Sequence, residues 1–201
     1  MKNKKRLLLM VIAIIVFILA LTIRYVYLNS YWPNPSIYSI TMGNIVEVDQ
    51  VEYSVQEVKI GSSEDILRLF NPSLSESDIE SVSKELQPLP EDRQGHALLA
   101  VKLTITNNSD KELLTSNCFF LPICQGTWSN GASAYVFPYI NDSFKSSLAP
   151  GETNTYIVPY NLYEEMFSPD GWGKISSEDF YLLLQYYPQK IELSFTAESI
   201  K

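Results

Sequence analysis

The strongest constraint on this chain is a run of seventeen residues, Leu7 to Ile23, that holds one polar side chain, Thr22, and no charge. Leu, Ile, Val and Phe fill thirteen of its positions. Each is worth roughly −0.3 to −0.6 kcal/mol at a bilayer centre, so the run favours insertion. A helix of that length spans about 26 Å at 1.5 Å per residue, slightly short of a ~30 Å hydrocarbon core. Arg24 can snorkel its guanidinium outward, which lets Tyr25, Val26, Tyr27 and Leu28 extend the span. Tyr25, Tyr27, Tyr31 and Trp32 then fall where an interfacial aromatic belt belongs.

Lys2, Lys4, Lys5 and Arg6 precede the run, and only Arg24 follows it closely. The positive-inside rule therefore predicts a cytoplasmic basic tip (1–6), a transmembrane signal anchor (7–28), a Pro-stiffened stalk (29–39) and an extracellular domain (40–201). A cleaved signal peptide has a shorter apolar region, of about 7–15 residues, ending at a small-x-small site. The nearest match, Ala20-Leu21-Thr22, is poor and lies inside the run, so the leader is read as retained.

The part beyond the anchor, about 170 residues, suits one domain. All 23 acidic residues follow Arg24 against 10 of the basic ones, a net charge of −13. Nucleic acid is an improbable partner for such a surface, since phosphate binding needs a basic one. Repulsion from an anionic bilayer predicts a domain that projects into solvent. Cys118 and Cys124 lie six residues apart, which is ~20 Å along one straight strand and far beyond the ~7 Å between α-carbons that a disulfide allows. A bridge needs a reversal at Pro122; a disulfide and two buried thiols both stay open. Two cysteines and one histidine do not make a four-ligand zinc set, and no cofactor is expected.

Period-two alternation dominates the outer part. Val46 and Val48, then Val51, Tyr53 and Val55, point to one face around a turn at Asp49-Gln50, and the parity shifts at Gln56-Glu57 as at a β-bulge. Residues 62–94 break the rhythm. Ser75 is the expected N-cap of a helix with Asp78 at N3, Leu74 and Ile79 are spaced as a hydrophobic staple, and Ile79, Val82 and Leu86 continue one face up to Gln87-Pro88. A shorter helix is expected around Glu64 to Phe70. Ala97, Leu99, Val101, Leu103 and Ile105 form the clearest strand. Ser129-Asn130-Gly131 reads as a turn and 134–139 as a short strand. Ala149-Pro150-Gly151-Glu152 is a tight turn leading into a strand at 153–159. Phe180 to Tyr187 and Lys190 to Thr196 read as a hairpin. Many short strands with Gly, Pro and Asn punctuation point to an all-β antiparallel sandwich with a short helical insertion.

The segments 46–55 (Val-Glu-Val-Asp-Gln-Val-Glu-Tyr-Ser-Val) and 98–113 (Leu-Leu-Ala-Val-Lys-Leu-Thr-Ile-Thr-Asn-Asn-Ser-Asp-Lys-Glu-Leu) carry a resemblance. So do Leu-Ala-Pro-Gly-Glu (148–152) and Tyr-Pro-Gln-Lys-Ile-Glu-Leu (187–193). Residues 40–197 resemble the extracellular immunoglobulin-like, telokin-like domains of Gram-positive bacterial surfaces. The resemblance implies an immunoglobulin-like β-sandwich carried by a membrane anchor or a lipid, and it brings no catalytic residues. The insertion at 62–94 and the two cysteines depart from the simplest pattern.

No convergent catalytic set is legible. His96 stands alone beside a core strand, and nothing brings a particular pair of the many carboxylates together as a glycosidase requires. Aromatic side chains cluster at 128–144 and 156–172. The loop from Phe167 to Gly173 is the best exposed candidate, and Trp128, Phe167 and Trp172 are the ligand-contact candidates, because flat aromatic faces bury area at low entropic cost. The expected function is a membrane-anchored binding or structural module whose partner is an envelope protein, a glycan or a peptide. The alternative is an accessory sensor or immunity-type protein beside a membrane partner.

Overall fold

The computed structural model describes residues 2–86, 95–116 and 120–200. It divides into two compact units, 1–36 and 37–201.

The first unit is one helix, α1 (Lys2–Tyr31). Its stretch Met10–Tyr31 is long and apolar enough to cross a membrane. The single polar side chain of the apolar run is satisfied within the helix, as Thr22 Oγ1 donates to the Ile18 carbonyl at 2.9 Å. No unpaired hydroxyl therefore opposes insertion into hydrocarbon. The helix continues to Tyr31 and the first strand opens at Ser36, with Pro33 and Pro35 between them.

The second unit is a β-sandwich. One sheet has the order β1 (Ser36–Thr41), β11 (Gln189–Thr196), β10 (Asp179–Gln185), β6 (Ile123–Gln125), β7 (Trp128–Asn130). The other runs β12 (Glu198–Ser199), β3 (Val51–Gly61), β4 (His96–Asn107), β9 (Thr153–Tyr163), with β2 (Val46–Val48) also paired to β3. A two-stranded ribbon joins β5 (Leu113–Leu114) to β8 (Ser147–Leu148). Between the main sheets, Val55, Leu103, Tyr160, Phe180 and Leu193 belong to one continuous core. The expected bulge is present: Val55 pairs with Leu103 and Glu57 with Lys102, leaving Gln56 without an opposite residue.

A second core lies on the other face of β4. Helices α2 (Ser63–Phe70) and α3 (Glu76–Leu86) place Ile66, Leu67, Ile79 and Val82 against Leu98 and Ala100. The cap expected at Ser75 is present, and the structure adds one at Ser62. Ser75 Oγ accepts from the Asp78 amide at 3.2 Å, and Ser62 Oγ does the same for Asp65 at 3.1 Å. Residues 87–94, where the Pro-terminated end of α3 was expected, lie outside the described residues.

Two local expectations are corrected. Residues 134–139 do not form a strand: Val136 and Ile140 drop into the second core from one helical turn, Phe137–Ile140. Pro138 suits that turn, because amides in the first turn of a helix have no intrahelical partner to lose. Ser129 and Asn130 are not a turn but part of β7; the reversal sits earlier, between Gln125 and Trp128, where Gly126 takes φ +56°.

The long outer edge of β9 is covered by the Asn141 side chain and the Ser133 backbone rather than by another strand. Asn141 donates to the Ile157 carbonyl at 2.8 Å and accepts from its amide at 2.9 Å, and the Ser133 amide donates to the Pro159 carbonyl at 2.7 Å. An edge so satisfied is a poor template for another chain.

The β2–β3 hairpin holds Asp49 and Gln50 at φ +51° and +64°, the geometry of a type I′ turn. A side chain in that region costs about 1–2 kcal/mol that glycine avoids. Gln50→Gly is expected to stabilise the domain by about 0.5–1 kcal/mol once the greater freedom of glycine in the unfolded chain is counted. A raised urea midpoint with unchanged slope is the expected result, and a lowered midpoint would contradict the turn assignment.

Candidate functional site

The β3–β4, β6–β7 and β9–β10 connections meet at one end of the sandwich, because β4 starts opposite the end of β9 (His96 with Tyr163) and β10 starts beside β6 (Tyr181 with Cys124). The three aromatic candidates converge there. Trp128 opens β7. Phe167 follows a 3-10 turn, Glu164–Met166, and Trp172 ends a one-turn helix, Pro169–Trp172, whose N-cap Ser168 accepts from the Gly171 amide at 3.1 Å. Ring centroids lie 4.9 Å apart for Trp128–Phe167 and 6.0 Å for Phe167–Trp172. All three are half-buried and lean on the main core. The cluster is therefore both a plug for the sandwich end and an aromatic surface with part of its area open to solvent. Glu164, Glu165 and Asp170 belong to the same connecting segment as Phe167 and Trp172.

Gly95 sets how closely Trp172 can approach. A β-carbon there would lie 2.7 Å from the Trp172 indole, well inside contact distance. The adjoining backbone is tied down by the Glu164 amide, which donates to the Gly95 carbonyl at 2.9 Å.

His96, next in sequence, is half-buried in a polar cluster. Its Nδ1 lies 3.3 Å from Ser63 Oγ and its Nε2 lies 3.4 Å from Asn161 Oδ1. Its ring centroid lies 5.0 Å from that of Tyr163. Asn161 also donates to Ser133 Oγ at 3.2 Å, and its carbonyl accepts from Asn130 at 2.8 Å. The Ser–His–Asn line superficially suggests a nucleophile with its base, and Ser63 within it is buried at 6% exposure. The cluster serves to fix the first turn of α2, the start of β4 and the end of β9 to one another. Burial holds the imidazole below the ordinary histidine pKa, against the upward pull of Asn161.

The other singled-out residues fall elsewhere. Cys124 is a buried free thiol on β6, and burial pushes its pKa up, so it carries no thiolate character. Cys118 lies outside the described residues. Beside Cys124, Lys190 sits 2.5 Å from Glu192 and 4.7 Å from the centroid of the Tyr181 ring; the hydrogen bond to Glu192 raises its pKa and keeps it charged. Among the described residues no three His, Cys, Asp or Glu side chains converge as metal ligands.

A β-sandwich following an apolar helix long enough to cross a membrane defines the class of this protein. The chain belongs to the family described as domain of unknown function DUF5028, which matches residues 42–191. Among solved structures it is similar to an uncharacterised β-sandwich protein of Clostridium difficile (15% identity, 81% of this chain and 97% of that one, TM-score 0.48). It is also similar to a functionally unknown protein of Listeria monocytogenes (11%, 78% and 83%, TM-score 0.47) and to a candidate lipoprotein of Staphylococcus aureus (12%, 80% and 97%, TM-score 0.41). No curated protein matches the chain.

Sequence reasoning singled out the three aromatic residues but not Gly95, Ser63 or Asn161. Their roles come from contacts between segments 33 to 77 residues apart, for which no spacing rule exists.

Gly95→Ala is expected to displace Trp172, red-shift the tryptophan emission and cost about 1–3 kcal/mol, as overpacking does. Emission and stability identical to the parent would show that the ring does not rest on Gly95. For His96, a depressed folded pKa means the folded state prefers the neutral ring. The stability this contributes is complete above the unfolded pKa of about 6.5 and is lost as pH falls through the lower folded value. Thermal midpoints are expected to drop as pH falls below about 6.5, and His96→Gln to flatten that drop; an equal slope in the variant would remove His96 as its source.

Proposed function

We propose that this protein is a single-pass membrane protein that presents an immunoglobulin-like domain outside the cell as a non-catalytic binding module, with the Trp128–Phe167–Trp172 end as its contact surface. The observation that carries this reading is the meeting of three half-buried aromatic rings, one from the first residue of β7 and two from the β9–β10 connection. Aromatic anchors in partly desolvated settings dominate binding energy in known interfaces, and the acidic sequence of the segment that carries Phe167 and Trp172 favours a hydroxyl-rich glycan or a basic peptide.

Retention in the membrane is supported by the apolar length of α1, by the internally satisfied Thr22 and by the cations that precede the apolar run. The immunoglobulin-like subtype is supported by strand order. Reading β3, β4, β6, β7, β9, β10 and β11 as A, B, C, C′, E, F and G places A-B-E against G-F-C-C′. The D strand has no counterpart in that order, and the A–B connection is enlarged by α2 and α3.

The test has two arms. The protein recovered from cells is expected in the membrane fraction with its N-terminal leader intact; a trimmed form in the medium would end the anchor reading. Detergent-solubilised full chain is then screened against cell-wall glycan fragments and basic peptides. Hits are expected to weaken at least about tenfold, or ~1.4 kcal/mol, in Phe167→Ala and Trp172→Ala, and to be unaffected by the exposed-site control Leu69→Ala. Ligands that bind all three variants alike would remove the aromatic end as the contact surface.

A further inference from the structure

We propose that the first strand of the sandwich rests in the lipid headgroup region, with Ile37 and Tyr38 of β1 as a membrane-contact surface. The inference rests on the anchor reading above, and three observations carry it.

The first is the tether. α1 ends at Tyr31 and β1 begins at Ser36, so only residues 32–35 separate them. Four residues reach at most about 14 Å when fully extended. The headgroup layer itself adds roughly 5–8 Å beyond each side of the hydrocarbon. Covalent geometry thus keeps β1 within one short tether of the end of α1, and the strand's exposure and charge pattern favour the interface over the water beyond it.

The second is exposure on an otherwise guarded fold. Ile37 and Tyr38 are 65% and 52% exposed, although they are neighbours on a strand and point to opposite sides. The edge of β9 is closed by Asn141 and Ser133, while β2, β7 and β12 are only two or three residues long. β1 is a six-residue edge strand without a charge, a combination that soluble domains avoid.

The third is where charge is absent. Between Arg24 and Glu47 there are 22 consecutive residues with no charged side chain, and Tyr25, Tyr27, Tyr31, Trp32 and Tyr38 are among them. The whole surplus of acid in the outer domain begins at Glu47. Carboxylates that anionic headgroups would repel are missing from the segment held closest to them, and the residues placed there are those that favour membrane interfaces.

The experiment uses the full chain reconstituted in phosphatidylglycerol–phosphatidylcholine vesicles. Cys118→Ser removes one native thiol, and Cys124, buried at 4% exposure, is left in place. Single nitroxide labels are attached through Phe17→Cys, Ile37→Cys, Tyr38→Cys or Leu69→Cys, and collision with lipid-dissolved oxygen is compared with collision with an aqueous nickel chelate. Phe17 is expected to read as deep lipid, Ile37 and Tyr38 as interfacial and Leu69, an exposed apolar residue on α2, as water. Phe17 in lipid with positions 37 and 38 indistinguishable from 69 overturns this inference and leaves the anchor standing. Phe17 in water overturns the anchor reading and this inference with it. Spin–spin broadening at position 38 without lipid contact assigns the edge to a second copy of the chain, which also overturns the membrane assignment.

Discussion

The structure depends on the double burial of one strand. β4 hydrogen-bonds to β3 on one side and to β9 on the other, so its backbone is satisfied along nearly its whole length. Leu99, Val101, Leu103 and Ile105 enter the space between the sheets, while Leu98 and Ala100 enter the space under the helices. Both cores are therefore joined through one backbone, and the sandwich and its helical cover cannot be separated without exposing one face of the same strand. At roughly 25 cal/mol per Å2 of buried apolar surface, such a strand concentrates much of the driving force for folding.

The position of the helical insertion follows from that arrangement. α2 and α3 occupy the β3–β4 connection and fold back over the outer face of the strand they lead into. The aromatic end is tied to the same place. His96 begins β4, Gly95 precedes it, and Trp172 lies against Gly95. The aromatic end is thus built on the start of a strand that is hydrogen-bonded on both sides, with connecting segments around it.

Much of the fold was legible in the residues because it is locally encoded. The bulge at Gln56, the cap at Ser75, and the reversals at Asp49-Gln50 and Pro150-Gly151 each depend on neighbours a few residues away. Where local pattern and tertiary demand diverged, the reading failed. Residues 134–139 alternate like a strand, yet Val136 and Ile140 are one helical turn apart and the second core takes them together. Leu98 and Ala100 sit at positions that a one-sided strand leaves polar; the unbroken apolar run from Ala97 to Val101 was the available sign that both faces are covered.

The sequence by itself determined that a helix can cross a bilayer, which end is basic, and that the chain beyond the helix forms a sandwich of short strands, because hydrophobic run length, charge bias and period-two alternation are properties of consecutive residues. Only the tertiary structure decided that Trp128, Phe167 and Trp172 share one end, that His96 meets Ser63 and Asn161, and that β9 is closed while β1 is open. Those facts depend on which strands pair and in what register. Pairing is settled by the packing of the whole chain rather than by any stretch of it.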